Sequence, residues 1–379
     1  MKVTRLLAAV IGTSALLVTG AAPAAAGATQ TGRSVETAAH PHEKTLRQAA
    51  TKGLRVGTAV AGGGHHEEQD YPDPFFHDHA YRGVLAKHFN SLTPENQLKW
   101  EFVHPERHKY NFAAADAIVN FARKNGQTVR GHTLLWHSQN PEWLTEGDFS
   151  RKELRAILRE HIFTVVGRYR GKIHQWDVAN EIIDDNGNLR TEENIWLREL
   201  GPEIIADAFR WAHQADPKAK LFLNDYGAEG INARSDAYLR LAKELRAKGV
   251  PVHGFAVQAH LSMDYPFPSD MAANLKRFQD AGFETAVTEL DVRMTLPEGG
   301  EPTPEQLKTQ ADYHRWALEA CLSVKGCKSF TVWGTTNRYS WVPVFFPNEG
   351  HATIFWDDFR PKPAYHALRD TLLKARGKR

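Results

Sequence analysis

The chain has 379 residues, with 47 Lys and Arg against 45 Asp and Glu, 42% hydrophobic and 24% charged residues, and two cysteines. That composition excludes a disordered or fibrous protein and supplies core for one large domain or two ordinary ones. Lys2 and Arg5, in a segment without acids, account for the whole +2 formal charge, so the remaining body is neutral and offers no electrostatic argument for a nucleic-acid or anionic-membrane partner.

Lys2 and Arg5 precede an apolar run from Leu6 to Val18 and then Ala21-Ala22-Pro23-Ala24-Ala25-Ala26. This is the pattern of an export signal, with cleavage expected after Ala26 and a secreted product. A buried N-terminal helix is the alternative. The run is too short to span a bilayer, and no later apolar run reaches ~18 residues. Residues 27–42 are rich in Ala, Thr, Gly and Ser and read as a flexible lead-in. Residues 43–379 contain no linker composition and read as one domain.

Within that body, short β-rich runs begin at Leu54–Val60 and recur at Phe89–Thr93, Thr128–His132, Ile173–Val178, Lys220–Asn224, Gly254–Gln258, Glu284–Thr288 and Ser329–Trp333. Amphipathic stretches lie between them, among them Ala114–Asn125, Arg151–Tyr169, Glu203–Ala215, Asp236–Lys248 and Gln306–Leu322. Eight strand–helix alternations predict an α/β fold, a parallel sheet closed as a (β/α)8 TIM barrel. An open doubly wound sheet competes, but Gly57-Thr58-Ala59-Val60-Ala61-Gly62 is not the phosphate loop such a sheet carries after its first strand. Residues 62–74 read as a long surface loop. Its adjacent His65 and His66 are read as ordinary loop histidines, and no metal site is expected. Cys321 and Cys327 are six apart, and in an exported chain they most simply pair, with two free buried thiols as the alternative.

Polar residues cluster where the strands end. Asn90 and Glu95, His132, Asn180 and Glu181, Asn224 and Asp225, Gln258 and His260, Glu289 and Asp291, and Trp333 all stand at or just past a strand. In a barrel these positions converge on the C-terminal mouth, where catalytic groups are presented. Stability asks only for apolar packing there, so repetition on successive strands points to function. No nucleophile elbow, His-Glu-x-x-His spacing or P-loop is present, and no cofactor is expected. What remains are two glutamates at strand ends, Glu181 and Glu289, accompanied by Trp136, Trp333 and Trp341. Two carboxylates flanking a bond are what glycoside hydrolysis needs, and indole faces suit the C–H faces of sugar rings.

Trp176-Asp177-Val178-Ala179-Asn180-Glu181 and Thr288-Glu289-Leu290-Asp291 resemble the acid/base and nucleophile motifs of glycoside hydrolase family 10 xylanases. The resemblance continues through Thr93–Trp100, Arg130–Gln139, Leu223–Tyr226, Gln258–Leu261, Thr331–Gly334 and Pro361–Tyr365, and spans about Thr45 to Leu373. It implies a secreted bacterial-type endo-1,4-β-xylanase that retains anomeric configuration, with xylan and xylo-oligosaccharides as partners, no nucleic acid or membrane, and a monomeric state. On that basis Glu181 is the acid/base and must hold a proton at working pH. Glu289 is the nucleophile, and His260, Asp291 and Asn180 support the pair. Glu95, Asn96, Lys99, His132, Trp136, Gln139 and Gln258 match the groups that line the non-reducing-side (glycone) sugar pockets. Trp333 and Trp341 match the indoles that cover that side and leave little room for the C6 hydroxymethyl of glucose. Cys321 and Cys327 coincide with a disulfide common in secreted bacterial members.

The chain departs from the family pattern at Asn337, Leu98, Gln97, Glu142 and Gly227, none of which is one of the two carboxylates. The His-rich insertion at 62–74 is the departure that bears on function, because a loop there borders the glycone end and would favour short oligosaccharides or aryl glycosides. Two other readings remain open: a β-1,4-glucan hydrolase on the same barrel, and a barrel that binds sugar or protein without catalysis.

Overall fold

In the computed structural model, which describes residues 43–297 and 300–377, eight parallel strands close on themselves. They are β1 Arg55–Val60, β2 Ser91–Pro94, β3 Thr128–Leu135, β4 Gln175–Asn180, β5 Lys220–Asp225, β6 Gly254–Val257, β7 Glu284–Thr295 and β8 Cys327–Val332. Each pairs in parallel with the next, and β8 returns to β1 through Val56↔Phe330 and Gly57↔Thr331. The strands begin within two residues of where the sequence alternation placed them. β7 alone runs well beyond its predicted end, and its extension pairs with His260–Ser262 and with Glu349–Gly350.

The main helices that follow the strands are α1 His79–His88, α2 Ala113–Lys124, α3 Arg151–Arg168, α4 Glu203–Ala215, α5 Ala233–Ala247, α6 Met271–Asp280, α7 Pro304–Ser323 and α8 Pro363–Gly377. Their starts follow from local chemistry. Ser150 Oγ accepts from the Glu153 amide while Glu153 Oε2 accepts from the Ser150 amide, a reciprocal cap for α3. Thr303 and Gln306 do the same for α7, with Pro304 at its first position. α4 turns Ile204, Ile205, Ala208, Phe209 and Ala212 inward, spacings that put them on one helical face. Among the described residues no helix is long and apolar enough to cross a membrane.

One large apolar core joins helices to the outer faces of the strands. The barrel interior is different. Phe222, Ala256 and Ala286 form a small separate cluster, and the Arg130 guanidinium lies 4.8 Å over the Phe222 ring. Gly254 makes that possible, because a Cβ there would come within 2.3 Å of the Phe222 ring. The interior is thus partly ionic, and its polar groups lead upward to the mouth.

The described residues from Lys44 onward form one unit, and Cys321 and Cys327 are joined in a disulfide. The export signal (1–26) and the lead-in (27–42) fall outside the described residues. The 62–74 segment is not a plain surface loop. Gly64–Glu68 is a 3-10 turn, Pro74–His77 begins a short helix, and His66 is buried. The physical reason is Glu95, a buried carboxylate that needs a partner, and the insertion supplies one.

Candidate active site

The site begins with the backbone at the strand ends. Glu181 follows β4 directly with φ +53, and Gln139 and Ala259 at the mouth are also left-handed, at φ +47 and +64. Non-glycine residues in that region cost of order 1–3 kcal/mol and persist where the surroundings over-determine them. Here the Glu181 amide donates to Asn224 O at 2.9 Å, and the Ala259 amide to Glu229 Oε1 at 2.9 Å. On β7 the pairing with β8 shifts between Val287 and Leu290, the kind of irregularity that re-aims a side chain at a barrel rim.

Glu289 and Asp291 are two residues apart on β7, so both project from one face, about 6.6 Å apart along the strand. One imidazole fits between them. His260 Nε2 lies 3.2 Å from Glu289 Oε2, and its Nδ1 lies 3.0 Å from Asp291 Oδ2. An imidazole donates from both nitrogens only when protonated. Burial opposes that charge, but Asp291 and Glu289 overcome it and hold the His260 pKa up at about 10. Asp291 Oδ2 also accepts the indole N–H of Trp341 at 2.7 Å.

Glu289 receives a second donor, Asn224 Nδ2, at 2.7 Å on Oε1. Burial raises its carboxyl, yet His132 and His260 outweigh burial and leave it below the ordinary glutamate value. It is therefore ionised across the neutral and mildly acidic range, as a nucleophile must be.

A short hydrogen-bonded path joins it to Glu181. Asn224 Nδ2 also donates to Asn180 Oδ1 at 2.8 Å, and Asn180 Nδ2 donates to Glu181 Oε1 at 3.2 Å. Gln258 Nε2 donates to the same Glu181 oxygen at 2.9 Å, and Trp136 Nε1 donates to Oε2 at 2.7 Å. Thr288 Oγ1 fixes the amide of Asn224 by donating to its Oδ1 at 2.7 Å, which assigns Nδ2 to the carboxylate.

Below these groups sits a buried ionic stack. Arg130 Nε donates to both oxygens of Asp177 at 3.1 Å, and its Nη2 adds a third contact. Asp177 Oδ2 in turn lies 3.1 Å from His132 Nδ1, which is 3.9 Å from Glu289 Oε1. His132 thus links the Arg130–Asp177 pair to the Glu289 carboxylate as well as facing the expected sugar pocket.

Beside it, Glu95, Asn96, Lys99, Gln139 and Trp136 form one continuous patch. Lys99 Nζ donates to Asn96 Oδ1 at 2.9 Å and to Gln139 Oε1 at 2.7 Å, and sits 5.0 Å over the Trp136 ring. Burial pulls its pKa down against the pull of Glu95, Glu289 and Glu181. Trp333 stands edge-on to His132 and His260, and Trp341 edge-on to His260. The carboxylates and the residues expected to support them or to line the sugar pockets therefore meet at one mouth. Asn90 does not join them: it precedes β2, accepts from the Val56 amide and donates to Leu54 O, so it serves the opposite end of the barrel, where β1 and β2 begin. Sequence reasoning missed the roles of Asn224, Arg130, Asp177 and His66. An arginine and an aspartate inside predicted strands were the available signal for the middle two.

Gly227, after Asp225-Tyr226, takes a φ of +63 that favours glycine, and a Cβ there would come within 2.6 Å of Arg234 Nη1, so a side chain at this position requires the buried Arg234 to shift.

Residues 45–371 match the sequence profile described as Glycosyl hydrolase family 10. Endo-1,4-beta-xylanase B of Thermotoga neapolitana is 44% identical over 292 residues, 77% of this chain and 83% of that protein. Beta-1,4-xylanase of Dictyoglomus thermophilum is 42% identical over 294 residues, 75% of this chain and 82% of that one. Native xylanase 10B from Thermotoga maritima superposes with a TM-score of 0.81 at 39% identity, covering 88% of this chain and all of that chain. Xylanase 10B from Thermotoga petrophila RKU-1, solved in complex with xylobiose, gives the same score and identity over 88% and 99% of the two chains.

Two glutamates on one hydrogen-bonded network at the mouth of a (β/α)8 barrel define a glycoside hydrolase. The extent of the profile match and the identity to these relatives make the assignment specific: the chain belongs to glycosyl hydrolase family 10.

Proposed function

We propose that the chain is a retaining endo-β-1,4-xylanase in which Glu289 is the nucleophile and Glu181 the acid/base. The observation that carries this division is the unequal surroundings of the two carboxylates. Glu289 is held by Asn224 and by an imidazolium, with a depressed pKa. Among the described residues Glu181 meets only uncharged donors at hydrogen-bond distance, Trp136, Asn180 and Gln258, with the His137 imidazole farther off at 3.9 Å.

In the first step an oxygen of Glu289 attacks the anomeric carbon while Glu181 transfers its proton to the departing glycosidic oxygen. In the second step Glu181, now a carboxylate, takes a proton from water. That water attacks the same carbon and releases Glu289, so configuration is inverted twice and retained overall. His260 spreads compensating positive charge beside Glu289 while its negative charge is consumed and restored. Asn180, bonded to Glu181 and linked to Glu289 through Asn224, holds the sugar's 2-hydroxyl in this reading, and Glu95, Asn96, Lys99 and Gln139 receive the next sugar on the glycone side. Trp333 and Trp341 cover that side and disfavour a C6 substituent.

The chain acts on a neutral polysaccharide outside the cell as a monomer. The n-region and apolar run at residues 1–18 support export, and the Cys321–Cys327 disulfide suits an oxidising destination. The test is the product profile from linear xylohexaose beside turnover of carboxymethylcellulose. Internal cleavage of xylohexaose, abolished in Glu289→Ala, is the expected result; undiminished activity in that variant or faster cellulose cleavage overturns the reading.

A further inference from the structure

The 62–68 segment brings two imidazoles onto the carboxylate of Glu95. His66 Nε2 lies 3.1 Å from Glu95 Oε2, and His65 Nε2 lies 3.8 Å from Glu95 Oε1. The potential ligand atoms of the three residues all fall within 4.8 Å of one another. His66 and Glu95 are buried, at 1% and 3% exposure, and His65 Nε2 is a buried nitrogen that hydrogen-bonds to nothing.

The cluster is held from below. Gly62, Gly63 and Gly64 all take positive φ, at +139, +70 and +59. That lets Asn96 Nδ2 donate to both Gly62 O and Gly63 O at 3.1 Å, and a Cβ at Gly64 would press on the Asn96 amide at 3.1 Å. From the other side Phe345 meets the His65 ring edge-on at 5.5 Å and itself packs on Trp341. The nearest fixed cation does not compete for the site, because Lys99 Nζ is engaged by Asn96 and Gln139 rather than by Glu95.

We propose that His65 Nε2, His66 Nε2 and a Glu95 oxygen form a site for a divalent transition-metal ion of the zinc class at the glycone end of the cleft. Two imidazole nitrogens and one carboxylate oxygen are the donor set that zinc and its neighbours prefer over calcium or magnesium. Metal–ligand bonds of about 2.0–2.2 Å place tetrahedral ligand atoms roughly 3.3 Å apart; His66 Nε2 is 3.1 Å from Glu95 Oε2, His65 Nε2 is 3.8 Å from Glu95 Oε1, and all the potential ligand atoms lie within 4.8 Å of one another, close to that spacing. Three protein ligands leave one coordination position free. Occupancy ties up both the carboxylate and the imidazoles, so it removes Glu95 from sugar binding. That consequence rests on the proposed role of Glu95 in the glycone pocket; the binding itself does not.

The test is calorimetric titration of chelator-stripped protein with zinc chloride alone. Wild type is compared with His65→Ala, His66→Ala and the double variant, each checked for native circular dichroism. One site per chain is expected in wild type, at least ten-fold weaker in His65→Ala and lost in the double variant. His65, the more exposed of the pair, carries the comparison if His66→Ala does not fold. Superimposable titrations of wild type and His65→Ala, or no heat in wild type, overturn the proposal. One equivalent of zinc is further expected to raise KM for xylohexaose several-fold with little change in kcat. Zinc binding without that rise leaves the site standing and refutes the glycone role of Glu95 instead.

Discussion

The indole N–H of Trp136 donates to Oε2 of Glu181 across 2.7 Å, so the side chain expected to serve as a sugar platform also orients the carboxyl proposed as the acid/base. The ring cannot turn to suit a ligand without releasing that oxygen. Trp136→Phe keeps an aromatic face and deletes the donor. A protein hydrogen bond contributes about 0.5–1.5 kcal/mol, so kcat/KM on xylan should fall roughly 2- to 10-fold. Steady-state kinetics with Trp136→Phe beside Trp136→Ala separates the two roles; an unimpaired phenylalanine variant would show that the bond is idle.

The imidazolium of His260 gives the activity a specific pH signature. Glu289 is held below the ordinary glutamate value by His132 and His260 working against burial. A depressed carboxyl stays ionised as pH falls and is lost only when pH passes through the lowered value. Replacing His260 by Asn removes one of the two lowering groups, so the acid limb of kcat/KM should move to higher pH. The stability effect has the opposite sense. With a folded pKa of about 10 against an ordinary 6.5, the His260 contribution is full below about pH 6.5 and disappears progressively toward pH 10. Urea unfolding of wild type and His260→Asn at pH 6 and pH 10 should show a gap that narrows with rising pH. An acid limb that does not move, or a gap that widens, would refute the assignment.

Arg130 and Asp177 test how far the site depends on the barrel interior. Both are almost fully buried and bonded through several atoms. Removing one partner of such a pair leaves an uncompensated charge and costs about 3–5 kcal/mol. Asp177→Asn should lower the urea midpoint by that equivalent and also slow turnover, because His132 loses its anchor beneath Glu289. A variant with normal stability and normal kcat would remove the stack from the account.

The division between what was legible in the sequence and what was not follows from the reach of each signal. β1 to β8 were legible because a strand–helix alternation repeats locally, and each strand announces itself in five to seven residues. Glu181 and Glu289 were legible because strand ends of a closed barrel converge, so position along the chain translates into position at the mouth. The extension of β7 to Thr295 was not, since it is held by pairing with His260–Ser262 and Glu349–Gly350, partners distant in sequence. Asn224 was read only as one polar strand end among several; its donation to Glu289 depends on Thr288 setting the amide's orientation. His66 was assigned to solvent because a glycine- and acid-rich stretch ordinarily belongs there, and only the fold shows that Glu95 draws it inward.

Trp341 links specificity to the nucleophile's support. Its indole covers His260 and donates to Asp291, so truncation acts twice. Trp341→Ala should raise the rate on aryl β-cellobiosides relative to aryl β-xylobiosides, while lowering kcat on both. Ratios of kcat/KM for the two substrates decide it, and an unchanged ratio would count against steric exclusion of the hydroxymethyl group.

The most direct test of the central claim, that Glu289 attacks the anomeric carbon, is covalent trapping. A 2-deoxy-2-fluoro-β-xylobioside with a good leaving group slows the second step and lets the glycosyl-enzyme accumulate. Peptide mass spectrometry of the inactivated protein should then find one fluoroxylobiosyl group, esterified to Glu289. Turnover of the inactivator without an adduct, or an adduct on Glu181 or elsewhere, would contradict the account.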